Sequence, residues 1–190
     1  MPSNIEIKAR ARNPARLQAM AAVLRGAPGT LLYQEDTFFR TPHGRLKLRM
    51  FSSTQGELIY YERDDTSGPK PSHYTVVPTS DPEALKALLT VALGVRGVIR
   101  KQRLLYRIGQ TRVHLDDVEA LGTFVELEWV MSLGQPLAEG TRIVAELMQQ
   151  FEIADTDLVR SAYIDLLTAT HGTSDLPDFP RVLSQTPSDA

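Results

Sequence analysis

Glu126 and Glu128 stand two residues apart in this 190-residue chain, and so do Glu6 and Lys8, Lys47 and Arg49, and Lys101 and Arg103. Arg112, His114 and Asp116 continue the spacing, as do Asn4 ahead of Glu6 and Arg45 ahead of Lys47. Side chains two apart on a β-strand share a face. The residues between are mostly apolar: Ile5 and Ile7, Leu46 and Leu48, Val113 and Leu115, Val125 and Leu127. Each segment therefore has one charged and one apolar face. A sheet with one side in water gives the same alternation, but such faces mix Thr, Ser, Gln, Lys and Glu loosely. Here cations gather on most segments and carboxylates on a few. Carboxylates bind hard divalent ions, and Arg and Lys grip phosphate oxygens. The sorting suits a site for a polyanion and its metal ions.

The elements that must position these residues can be read from the turns and caps. Asn13-Pro14 and Asp81-Pro82 each offer an N-cap followed by proline, and Gly26 and Gly94 end the two runs, predicting helices over 15–25 and 83–93. A short strand precedes each helix (5–10 and 74–77), and three strand-like runs follow each: 32–39, 45–51 and 57–63, then 98–106, 112–116 and 123–130. The chain reads as two strand-helix-strand-strand-strand halves joined by a loop over 64–72. Apolar stripes at helical spacing predict two more helices, 139–151 and 157–170. One domain over 1–170 is expected, with 171–190 as a flexible tail of three prolines and no period. Eight such strands can close into a barrel, which removes both edges. With apolar faces outward under helices, the interior would be charged, and confining so many cations implies an anionic ligand.

Composition narrows the class. The formal net charge of −2 gives no global pull toward nucleic acid or a membrane, and the absence of cysteine excludes disulfides, thiolate metal sites and cysteine nucleophiles. The opening residues carry no basic-then-apolar segment, and no run approaches membrane-spanning length. The expectation is a soluble cytoplasmic protein.

The segment Asn4-Ile5-Glu6-Ile7-Lys8 resembles the Glu-x-Glu-x-Lys strand of the CYTH superfamily, the triphosphate tunnel metalloenzymes. Asp36-Thr37-Phe38-Phe39, Gly44-Arg45-Leu46-Lys47-Leu48-Arg49, Lys101-Gln102-Arg103, His114-Leu115-Asp116, Thr123 to Glu128 and Ser161 to Leu167 resemble its later motifs in order, so the likeness spans roughly 4–167. It implies an α+β fold, an eight-stranded antiparallel tunnel with flanking helices. It implies Mg²⁺ or Mn²⁺ on Glu6, Glu126 and Glu128, with Asp116 as a further ligand or orienter of water. Lys8, Arg45, Lys47, Arg49, Lys101 and Arg103 would hold phosphates, with Arg63 and Arg112 beside them. Lys8, Glu126, Glu128 and Asp116 form the implied catalytic set. His114 reads either as a phosphate contact or as a structural hydrogen-bond partner.

The chain departs from the pattern twice. Asn4 stands at the first glutamate position and lacks its charge. Tyr61 stands near where many members carry lysine, with Arg63 on the same face. The family includes triphosphatases and class IV adenylyl cyclases. The reading here is hydrolysis of an inorganic or organic triphosphate (tripolyphosphate, a nucleoside triphosphate or thiamine triphosphate), against conversion of ATP to cyclic AMP and pyrophosphate, or a non-catalytic polyphosphate- or nucleotide-binding module. The expected partner is a small-molecule triphosphate, not nucleic acid or a membrane, with a homodimer left open.

Overall fold

A computed structural model describes residues 3–171. Eight antiparallel strands close into one barrel in the order β1-β5-β4-β3-β2-β6-β7-β8. The first half supplies β1 (Ser3–Arg10), α1 (Pro14–Arg25), β2 (Thr30–Phe39), β3 (Arg45–Ser52) and β4 (Gln55–Arg63). The second supplies β5 (Lys70–Thr79), α2 (Pro82–Leu93), β6 (Val95–Ile108), β7 (Thr111–Val118) and β8 (Gly122–Val130). Two closing helices follow, α3 (Leu137–Gln150) and α4 (Tyr163–His171). Exchanging the halves maps the strand order onto itself: β1 pairs with β8 as β5 pairs with β4, and the like strands β1 and β5, and β2 and β6, pair with each other. The expectation of two equivalent halves is met.

Local chemistry sets the helices. The Asn13 and Asp81 side chains accept from the backbone N–H groups of Arg16 and Ala84, at 3.1 and 3.0 Å, and proline opens both helices. Gly26 ends α1 at φ 72°, a conformation open to glycine. The apolar strand faces turn outward. Ile5, Ile7, Val113, Val125, Leu127 and Trp129 pack under α1 and α3 with Leu17, Val144 and Leu147. Gly140 lets α3 approach, because a Cβ there would collide with Trp129 and Ile5. A second cluster joins Phe38, Ile99 and Phe124 to Tyr163 and Ile164 of α4. The core therefore lies between barrel and helices, and the interior is left to the charged faces.

Two boundaries differ from expectation by about four residues or more. Lys70, Pro71 and Ser72 belong to β5 and pair with Glu6, Ile5 and Asn4, so the loop shortens to 64–69. Proline signals a break locally, but the hydrogen-bonded neighbour on β1 decides the matter. The last helix starts at Tyr163 rather than 157. After a 3-10 turn at Asp155–Asp157 the chain runs extended: Leu158 bridges to Ala9, and the Val159 N–H donates to the Lys8 carbonyl at 2.8 Å. Backbone bonds to β1 outcompete helix formation there. The tail expectation falls, apart from His171 at the end of α4, on residues outside those described. No described helix is long and apolar enough to cross a membrane.

Candidate active site: two charged walls of a tunnel

The barrel encloses a cavity of about 320 Å³ lined by eight basic side chains against five carboxylates, a formal excess of three positive charges. One wall carries most of the carboxylates. Antiparallel register sets Glu6 opposite Glu128 and Lys8 opposite Glu126, and on the other side of β8 sets Glu126 opposite His114. The Lys8 ammonium lies 3.3 Å from Glu126, Arg63 donates to Glu6 at 2.5 Å, and Arg112 lies 3.6 Å from Glu128. Burial pushes the Glu6 carboxyl up; Arg63 opposes the rise, and the neighbouring Glu128 and Glu126 charges add to it. Burial would also raise Glu126, but Lys8 and Arg103 hold it well below the usual carboxylate range.

The facing wall is built around Asp36, buried to 1% exposure. Arg49 donates two hydrogen bonds to it at 2.7 and 2.8 Å, Lys47 a third at 3.0 Å, and the Lys101 ammonium lies 3.5 Å away. Burial opposes its charge, yet Arg49, Lys47 and Lys101 hold its pKa well below the normal value. The cost falls on the lysines. Burial first, then the Arg49 charge, brings Lys47 down to about 7, and burial with Arg103 lowers Lys101. Asp116 plays the matching part on β7. Both its oxygens accept from Arg103 at 2.6 Å, one also from the Tyr163 hydroxyl at 3.0 Å. Arg103 reaches on to Glu126 at 2.5 Å and so links the two walls.

The start of α4 closes one end. The Tyr163 ring lies 3.8 Å from the Lys8 ammonium and 5.1 Å from that of Lys101, a cation–π platform beneath both. Lys8 also donates to the Ser161 carbonyl at 3.4 Å.

The CYTH domain family profile matches residues 3–163. The chain belongs to the CYTH domain family. Solved structures of similar fold include a protein from Pyrococcus horikoshii, 25% identical, spanning 86% of this chain and 98% of its own, at a TM-score of 0.75. A candidate adenylate cyclase from Vibrio parahaemolyticus is 19% identical over 86% of this chain and 97% of its own, at 0.67. A candidate adenylyl cyclase from Hippeastrum, described as having a dominant triphosphatase activity, is 17% identical over 88% and 96%, at 0.61. Among curated proteins, no sequence matches the chain.

In this CYTH domain, Glu6, Lys8, Lys47, Arg49, Arg63, Lys101, Arg103, Arg112, Glu126 and Glu128 all line the one cavity. Arg45 and Asp116 do not. Arg45 sits at the α4 end between Asp65 and Asp165, at 2.6 and 2.9 Å, and Asp116 lies behind Arg103 with both oxygens engaged. Asn4 and Tyr61 line the cavity, and the Asn4 carbonyl oxygen is buried without a hydrogen-bond partner. Sequence reasoning placed Asp36 and Tyr163 within motifs of the family but gave neither a role in the site, and it did not single out Gln34. Asp36 carried a visible signal, being an acid in phase with Phe38 on a strand facing cationic ones. Tyr163 did not, because it read as one position of an apolar helical stripe.

The donors fit a hard divalent cation. Donor atoms of His114, Glu126 and Glu128 lie within 4.8 Å of one another. His114 Nδ1 is buried and has no hydrogen bond, standing 3.5 Å from Glu126 and 3.8 Å from Glu128. Crowded carboxylates with an unpartnered ring nitrogen are what a bound ion relieves.

Proposed function

We propose that this CYTH domain is a divalent-metal-dependent triphosphatase, cleaving the terminal phosphoanhydride of a small-molecule triphosphate with Mg²⁺ or Mn²⁺. The observation that carries the reading is the opposition of the two walls across one cavity: Lys47, Arg49, Lys101 and Arg103 facing Glu6, Glu126 and Glu128. A triphosphate against the first wall would meet the formal cationic excess, and an ion on the second would relieve the crowded acids.

Glu126 and Glu128 would hold the ion with the His114 ring nitrogen, and with Glu6, opposite Glu128, as a further ligand; the ion when bound supplies positive charge at phosphoryl oxygens and acidifies water. The protein's own residues do the rest. Arg49 and Arg103, fixed by paired bonds to Asp36 and Asp116, present their remaining N–H groups to phosphate oxygens without reorganisation. Lys8, held over the Tyr163 ring, and Lys101 add ammonium charge where the transferred group gains negative charge. Asp116 serves here as the anchor of Arg103. Arg63 and Arg112 steady Glu6 and Glu128. Arg45, engaged by Asp65 and Asp165, stays outside the cavity. Water's oxygen bonds to the terminal phosphorus, and the bridging P–O bond breaks with its electron pair leaving on the diphosphate.

Incubating the protein with tripolyphosphate and with ATP, with Mg²⁺ or Mn²⁺ and with chelator, tests this. Metal-dependent release of phosphate is expected. Pyrophosphate with cyclic AMP from ATP would mark a cyclase instead, and binding without turnover a non-catalytic module.

A further inference from the structure

A surface helix turns its apolar stripe to the core and its charges to water. α3 obeys: its exposed positions from Thr141 onward are Thr141, Arg142, Glu146, Gln149 and Gln150. α2 does not. It packs on β2, β3 and β4 through Pro82 and the half-buried Leu85 and Leu89. Yet its exposed positions after Glu83 are Ala84, Ala87, Leu88, Val91, Ala92 and Leu93, with Leu88 64% and Val91 88% exposed. The one base of the helix, Lys86, is turned away from this face to pair with Glu35 at 2.6 Å. Ala84, Leu88 and Val91 follow at i, i+4 and i+7 and so form one stripe. Single exposed apolar residues are ordinary, but an unbroken stripe on a helix already packed by its other face calls for a second packing partner. Two exposed charges frame it. Glu83 stands at the N-terminal end. Arg40 stands at the other, where its N–H donates to the Gly94 carbonyl at 3.1 Å and its side chain runs beside that glycine. Among the described residues, neither side chain has an ion pair or a hydrogen bond.

We propose that α2 is the interface of a homodimer, its outer stripe packed antiparallel on the same stripe of a second copy. A twofold axis through Leu88 sets each Glu83 level with position 93 of the facing helix, beside the partner's Arg40. The patch is thus complementary to itself in charge as well as in polarity, as a twofold interface requires. The antiparallel arrangement also lays the two helix dipoles in opposite directions. Neither the stripe nor its framing charges line the tunnel, so the inference is independent of the chemistry assigned there.

Sedimentation velocity of the full chain tests this, over a range of about 1 to 500 µM chosen because so small an interface should pair in the micromolar range. A monomer–dimer equilibrium is expected. Leu88→Glu, at an exposed position where the folded circular dichroism should be kept, is expected to raise the dissociation constant by about a hundredfold or more. Arg40→Glu should weaken pairing by about fivefold, and Glu83→Arg added to it should recover most of that loss. Because the chain has no cysteine, Leu88→Cys should give a disulfide-linked dimer under mild oxidation. Val23→Cys on α1, at a position 80% exposed, should not. A chain that stays monomeric throughout the range overturns the inference, and capture of that monomer by phosphatidylcholine–phosphatidylglycerol vesicles would give the stripe to a membrane instead. A dimer indifferent to Leu88→Glu overturns it equally, because the contact then lies elsewhere.

Discussion

On the inward faces of β2, β3 and β6 a single carboxylate, Asp36, is met by Lys47, Arg49 and Lys101, whereas on those of β1 and β8 three glutamates are met by Lys8, Arg63 and Arg103. The first wall has spent its acid: every Asp36 oxygen is taken, and burial leaves its cations in excess. The second wall has acids to spare, and Glu6 is pushed toward its neutral form by burial despite Arg63. The same inward-facing strand geometry thus builds an anion acceptor on one side and a cation acceptor on the other. What separates them is the ratio of acids to bases at matched register positions, not the fold.

Removing the acid of the first wall should have the largest effect. Asp36→Asn strands three buried cations without a counter-charge, an expected loss of about 3–5 kcal/mol, readable by thermal or denaturant unfolding. Added tripolyphosphate should restore much of the loss, because the ligand takes over the missing charge. An unchanged melting temperature would mean that the wall does not depend on its one carboxylate. Next comes the second wall. Glu126→Gln should leave the fold intact and lower metal-dependent turnover by about a hundredfold or more. Full Mg²⁺-dependent activity would remove Glu126 from the ion site.

pH sharpens the contrast more gently. Lys47 titrates at about 7 in the folded chain, against roughly 10.4 unfolded. With a folded value below the unfolded one, its charge costs stability in full below about pH 7, and that cost is relieved as pH rises toward 10. A bound polyanion restores the charge, so binding takes up a proton in this window. Tripolyphosphate affinity should therefore fall above pH 7, by up to about tenfold per pH unit, as the protein alone grows more stable. Calorimetry in buffers of different ionisation enthalpy reads the proton; no uptake at pH 8 would contradict the assignment. The smallest effect is expected at Asn4. Asn4→Glu adds an acid one inward position from Glu6 and should tighten a second Mn²⁺ in the presence of a non-hydrolysable triphosphate, with no change counting against it.

Much of this contrast was legible in the sequence because two-residue spacing fixes which side chains share a strand face. Glu126, Glu128, Lys47 and Arg49 could be placed on inward faces without a structure. What could not be read depends on partners across the barrel. Asp36 acquires its part only when β2 lies between β3 and β6. Asp116 and Arg45 share the right faces, but Arg103 and Asp165 claim them. Lys70-Pro71 looks like a turn until β1 pairs with it, and the stripe from Leu158 looks helical until Ala9 and the Lys8 carbonyl draw it straight. Local pattern specified the faces; register across neighbouring strands specified the pairs.

The most direct test of the two-wall account is anomalous diffraction from crystals grown with Mn²⁺ and a non-hydrolysable triphosphate. The expected result is a Mn²⁺ peak among Glu6, Glu126 and Glu128, with phosphate density against Lys47, Arg49, Lys101 and Arg103. Manganese outside the tunnel, or phosphates at the outer surface with the cavity empty, would contradict it.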